Sequence, residues 1–151
     1  MNNAMRFLAF IFAVLLTSCQ HFSPPAAIDY ASICQRENNG KYLETTGRFG
    51  ISELVFCSDR SGRNECSLDF FNADTGARNF AAAVAEGTGA NQIEPLSRRY
   101  TEEEIKIRAA DNALIKLTDK VKIIGVLTVT PLQNDPSTLA CTVKVERIEK
   151  Q

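Results

Sequence analysis

Residues 41–49 (KYLETTGRF) alternate in polarity, with Tyr42, Glu44 and Thr46 on one side and Leu43 and Thr45 on the other. A period of two predicts a half-buried strand. Gly47 within it marks a bulge or a close backbone approach. Residues 54–57 and 66–71 give two further strands. The polar SDRSGRNE segment between them makes 54–71 a hairpin with a cysteine at each shoulder of its loop. The clearest strand is 120–130 (KVKIIGVLTVT), where Val121, Ile123, Gly125, Leu127 and Val129 share a face and Pro131 follows as a stop. The alternation resumes over 139–148, after a polar loop.

The remaining segments read differently. Asp29 opens 29–37 as a residue suited to an N-cap, predicting one or two helical turns. Residues 80–86 (FAAAVAE) are Ala-rich and lean to helix by propensity, although Phe80, Ala82 and Val84 also alternate. Thr101–Glu104 has capping-box spacing, and 105–108 alternates like a short strand. The expected class is therefore mainly β. It comprises five strands, a short N-terminal helix and an insertion, 76–118, between the third and fourth strands. The run Asp119-Lys120-Val121-Lys122-Ile123-Ile124-Gly125, the Gly47 bend and the closing alternation resemble the OB-fold family, a small five-stranded barrel. Another small barrel or sandwich, or an α+β layer, is the alternative.

The first residues follow another logic. One arginine, Arg6, precedes ten uninterrupted apolar residues, 7–16. That is half the roughly 20 residues needed to span a bilayer and fits the apolar region of a signal peptide. Leu16-Thr17-Ser18-Cys19 then resembles the lipobox of bacterial lipoproteins. The resemblance implies cleavage before Cys19 and a diacylglyceryl thioether on its sulfur. That covalent lipid would be the membrane anchor, and no other cofactor is expected. Gln20, in place of Asp, implies sorting to the outer membrane, facing the periplasm. The expected organisation is a signal peptide over 1–18, a lipidated tether over 19–28 stiffened by Pro24 and Pro25, and one globular domain over 29–151.

Lipidation also changes the cysteine arithmetic. Of five cysteines, acylation of Cys19 leaves Cys34, Cys57, Cys66 and Cys141. An even number in an exported chain reads as two disulfides with three possible connectivities. Hairpin geometry favours Cys57–Cys66, and Cys34–Cys141 then follows. Metal binding is the rival reading; it lacks a CxxC pair and a partner histidine, so no metal is expected.

Charge adds little pull toward any polymer. The chain holds 17 basic and 18 acidic residues, which argues against a nucleic-acid partner. The one histidine, His21, lies on the tether, so no nucleophile–base pair assembles and no enzyme is expected. Arg98-Arg99-Tyr100 is a weak basic-aromatic patch. Arg60, Arg63 and Phe71 lie in or beside the hairpin, where OB domains bind ligands. One of Phe70 and Phe71 must point outward, and an exposed ring could stack on a base or sugar. The expected function is a non-catalytic binding or adaptor module of the bacterial envelope, held to the membrane by its lipid, with an envelope protein or polymer as ligand. The alternative is an OB-fold nucleic-acid-binding protein at the envelope.

Overall fold

The computed structural model describes residues 23–52, 54–60 and 63–151, without the side chains of Arg60, Arg63, Arg78 and Asn79. The expected signal peptide, Cys19 and the start of the tether lie outside the described residues. One sheet contains β1 (Ala26–Ala27), β2 (Tyr42–Gly50), β3 (Phe56–Arg60), β4 (Arg63–Phe71), β5 (Arg78–Glu86), β6 (Gln92–Ile93), β7 (Ile107–Arg108), β8 (Leu114–Ile115), β9 (Val121–Pro131) and β10 (Leu139–Lys150). Five of them, in the order β2-β4-β5-β10-β9, return to β2 and form a ring that is not a regular barrel. Every neighbouring pair in it is antiparallel except β5 with β10, which runs parallel.

Three expectations do not hold. The described chain has ten strands, not five, the additional ones being β5 and the two-residue strands β1, β6, β7 and β8. There is no short N-terminal helix over 29–37. Two 3-10 turns, Tyr30–Ser32 and Arg36–Asn38, take its place. Asp29 does cap the first turn, its carboxylate accepting the Ala31 N–H at 3.2 Å. The Asn38 amide then donates to the Ser32 and Ile33 carbonyls, and such side-chain bonds compete with a continuous helical ladder. Third, 80–86 belongs to a strand. Phe80, Ala82 and Val84 point into the core while the backbone pairs with β4 on one side and β10 on the other. Tertiary pairing overrides alanine's helical propensity. The insertion therefore begins after Glu86 rather than at residue 76.

The alternation over 42–49 and 121–129 does what its period predicts. Leu43, Phe49, Val121, Ile123 and Leu127 are fully buried. They join Phe70 and Phe80, whose ring centroids lie 5.1 Å apart, and Phe49, edge-on to Phe70 at 5.4 Å. Tyr30 closes this cluster from the N-terminal segment. Its hydroxyl lies 2.8 Å from the Phe70 carbonyl and 2.7 Å from that of Ala77. The insertion adds Ile93, Ile105, Ile107 and Ile115 to the same core. Asn91 ties it to β10, its side-chain oxygen accepting the Ile148 N–H at 2.8 Å.

Two glycines permit the strand crossings. A Cβ on Gly125 would stand 2.0 Å from the Lys144 carbonyl oxygen, and one on Gly47 would stand 2.4 Å from that of Phe71. Both are close backbone approaches that any side chain would block.

Candidate functional site

Strands β2 and β4 pair up to Gly50↔Asp69, and β3 and β4 resume at Phe56↔Ser67. Between these two pairings β4 offers only Leu68 opposite a longer stretch of the other strand. This is a wide bulge that splits one long strand into β2 and β3. Three contacts hold it. The Ser52 N–H donates to Asp69 Oδ2 at 2.6 Å, the Val55 N–H donates to the Tyr100 hydroxyl at 2.5 Å, and Cys57 is disulfide-bonded to Cys66. Val55 turns inward and is buried, while Leu54 and Phe56 remain 79% and 68% exposed. These are the most exposed large hydrophobic side chains among the described residues.

Phe56 leads onto a surface of short side chains. Register carries one row of neighbours across the sheet: Phe56, Ser67, Ala83, Lys144, Val126 and Tyr42. Ala81 and Ala85 flank Ala83 on this outer face. Beyond them lies a depression of about 430 Å³ floored by Ala83, Thr128 and Thr142, with Glu65 and Lys144 at its rim. Lys144 Nζ is 3.0 Å from Glu65 Oε1. Short side chains here leave the sheet open to close approach by another surface.

The residues expected to bind behave unequally. Arg60 and Arg63 are cross-strand partners at the end of the β3–β4 hairpin, and their side chains lie outside the described residues. Phe70 points inward and Phe71 outward, as alternation requires. The Phe71 ring packs on Gly50 and lies beneath the Arg48 guanidinium, 5.2 Å from its centroid. It is therefore not an open platform, because Arg48, across the strand pair, stacks on it. Arg98 and Arg99 are exposed, whereas Tyr100 anchors the bulge. Sequence reasoning missed Leu54 and Phe56 as exposed groups, since both sat in a continuous strand reading of 54–57.

No known family, curated protein or solved structure matches this chain. Its chemistry has to be read from its own side chains.

Both disulfides are present, Cys34–Cys141 and Cys57–Cys66. The latter joins directly opposed residues of β3 and β4, within the strands rather than at the shoulders of a long loop. Several carboxylates have local partners. Asp69 holds Ser52, Glu94 lies 2.6 Å from Arg108, and Asp119 lies 2.8 Å from Lys150. The hydrogen bond from Lys150 keeps the Asp119 carboxyl below its ordinary range, helped by the Lys116 N–H. Lys122 sits between Glu149 at 2.8 Å and Glu44 at 3.5 Å. The hydrogen bond with Glu149 raises the Lys122 ammonium and lowers the Glu149 carboxyl. The Lys122 pairs lie on β2, β9 and β10, away from the bulge.

Proposed function

We propose that this protein is a lipid-anchored, non-catalytic binding or adaptor module of the bacterial envelope, and that its binding surface is the 51–56 bulge with the adjoining outer face of β4 and β5. The observation that carries the binding reading is the exposure of Leu54 and Phe56 on a segment pinned at three points. Large apolar side chains held in water by a fixed backbone lose little conformational entropy on docking, which favours recognition of a protein surface. The anchor rests on the lipobox resemblance of Leu16–Cys19. Gln20, in place of Asp after the cysteine, supports the outer membrane, facing the periplasm, as its location. Ala26–Ala27 pairs with Leu43–Glu44 near the start of β2, whereas the bulge follows its far end. The chain would thus enter at one end of β2 and present the bulge at the other.

The ring order supports the finer OB-like reading. Taking β2, β4, β5, β9 and β10 as strands one to five, strand one pairs with two and four, and three runs parallel to five. The expected ligand face of such a domain, on its second and third strands, is the surface that Phe56 borders. That order also carries the second reading, nucleic-acid binding.

A photo-cross-linking residue at position 54 or 56 of the membrane-held protein should give one discrete protein adduct, and the same residue at Asp111 or Glu146 should not. Equal labelling from all four positions contradicts the reading. Adducts that are nucleic acid, with binding that weakens steeply with salt, favour the second reading. Cys19→Ala should release a folded domain into the soluble fraction, and retention in the membrane would remove the anchor.

A further inference from the structure

We propose that Cys57, Cys66 and Glu86 form a zinc site that opens when the Cys57–Cys66 disulfide is reduced. The two sulfur atoms and a Glu86 carboxylate oxygen lie within 4.8 Å of one another. Three adjacent strands bring them together. Cys57 and Cys66 oppose each other across β3 and β4, Val84 opposes Cys66 from β5, and Glu86 lies two residues further along the same face of β5. Strand pairing brings the three together, since β3 pairs with β4 from Phe56↔Ser67 to Arg60↔Arg63 and β4 with β5 from Glu65↔Ala85 to Phe71↔Arg78. Among the described residues the Glu86 carboxylate has no hydrogen-bond or ion-pair partner. It is half-buried beside the disulfide and committed to nothing else.

Access favours this disulfide over the other. Cys57 is exposed and Cys66 is fully buried, so an external thiolate reaches the Cys57 sulfur. In the second disulfide Cys34 is half-buried and Cys141 buried. A dithiol reductant attacks Cys57 Sγ, the S–S bond breaks, and the Cys66 sulfur leaves as thiolate. The reductant's second thiolate then frees Cys57 and closes the reductant to its own disulfide. Two electrons and two protons end on the cysteine pair. Zinc displaces the two thiol protons to solvent and takes two thiolates and one carboxylate oxygen, with water in the fourth position. The carboxylate disfavours Cu(I), and the thiolates disfavour Mg²⁺ and Ca²⁺, which leaves Zn²⁺ as the matching ion. Metal would then replace the covalent staple at the neck of the hairpin. The inference does not depend on the binding-module reading.

The purified protein is treated with a mild dithiol, and alkylation with peptide mapping identifies the freed thiols. Cys57 and Cys66 should be modified and Cys34 and Cys141 spared. After removal of the reductant, Zn²⁺ is titrated in competition with a chromophoric chelator. One zinc per chain should bind and protect both thiols from alkylation. The oxidised protein and the Cys57→Ser/Cys66→Ser variant should not bind. Glu86→Gln should weaken binding about 10-fold or more, at least the loss known for outer-shell partners. Absence of zinc uptake by the reduced protein overturns the proposal, as does unaltered affinity in a folded Glu86→Gln variant. Should that variant not fold, X-ray absorption at the zinc edge of the wild type decides. Two sulfur and two oxygen neighbours support the site, and any other shell overturns it.

Discussion

The Cys34–Cys141 and Cys57–Cys66 disulfides occupy opposite kinds of surroundings. The first joins the N-terminal turns to β10 across 107 residues, with its Cα atoms 5.6 Å apart and Cys141 buried. The second spans nine residues at the neck of a hairpin, with Cys57 in solvent. Chain-entropy reasoning assigns about 4.8 kcal/mol to the long closure and about 2.7 to the short one. The difference separates two roles. The long bridge belongs to the ring and its core, which hold the molecule together. The short one positions a bulge whose Leu54 and Phe56 side chains stand outside the core.

Substitutions can break that contrast. Replacing Cys34 and Cys141 with alanine should lower unfolding free energy by about 4–5 kcal/mol, read from denaturant midpoints. Phe70→Ala, at the centre of the aromatic cluster, should cost about 3–5 kcal/mol. Replacing Cys57 and Cys66 with alanine should cost about 2–3 kcal/mol, with hydrogen exchange rising in β3 and little change in β9 or β10. If the short bridge proved the costlier one to lose, the division would fail.

Acid and base should act weakly on stability. Glu149 and Asp119 are depressed, so their contributions are complete above the ordinary carboxylate range and are lost as pH falls through the lowered values. Lys122 is raised, so its contribution is complete below the ordinary lysine value and is lost as pH climbs through the raised one. Stability should therefore be flat between about pH 5 and 10, and Lys122→Met should remove the alkaline limb. Screening by water keeps all three effects small.

Much of the ring was legible in the sequence because its strands face the core on one side only. Leu43 and Thr45, or Val121 and Ile123, repeat every second residue, which is the period of a strand. Residues 80–86 were less legible, since five small or branched residues fit helix and strand alike and only the partners β4 and β10 decide. The two-residue strands leave no period to read. Cysteine parity and the hairpin pointed to both disulfides. Alternation required one of Phe70 and Phe71 to point outward without saying which, and Arg48, which stacks on Phe71, is 23 positions away and meets it only through register. Leu54 and Phe56 were hidden for a similar reason. Locally they resemble any strand, and their exposure arises at the break between the β2–β4 and β3–β4 pairings.

The claim that the bulge is a binding surface and not part of the scaffold rests on those two side chains. The most direct measurement is recovery of the partner cross-linked from position 56, comparing wild type with Leu54→Ser/Phe56→Ser at equal amounts of folded protein. The account predicts that partner recovery is lost while unfolding free energy stays within about 0.5 kcal/mol of wild type, as for exposed positions in general. Undiminished recovery with both side chains replaced would contradict it.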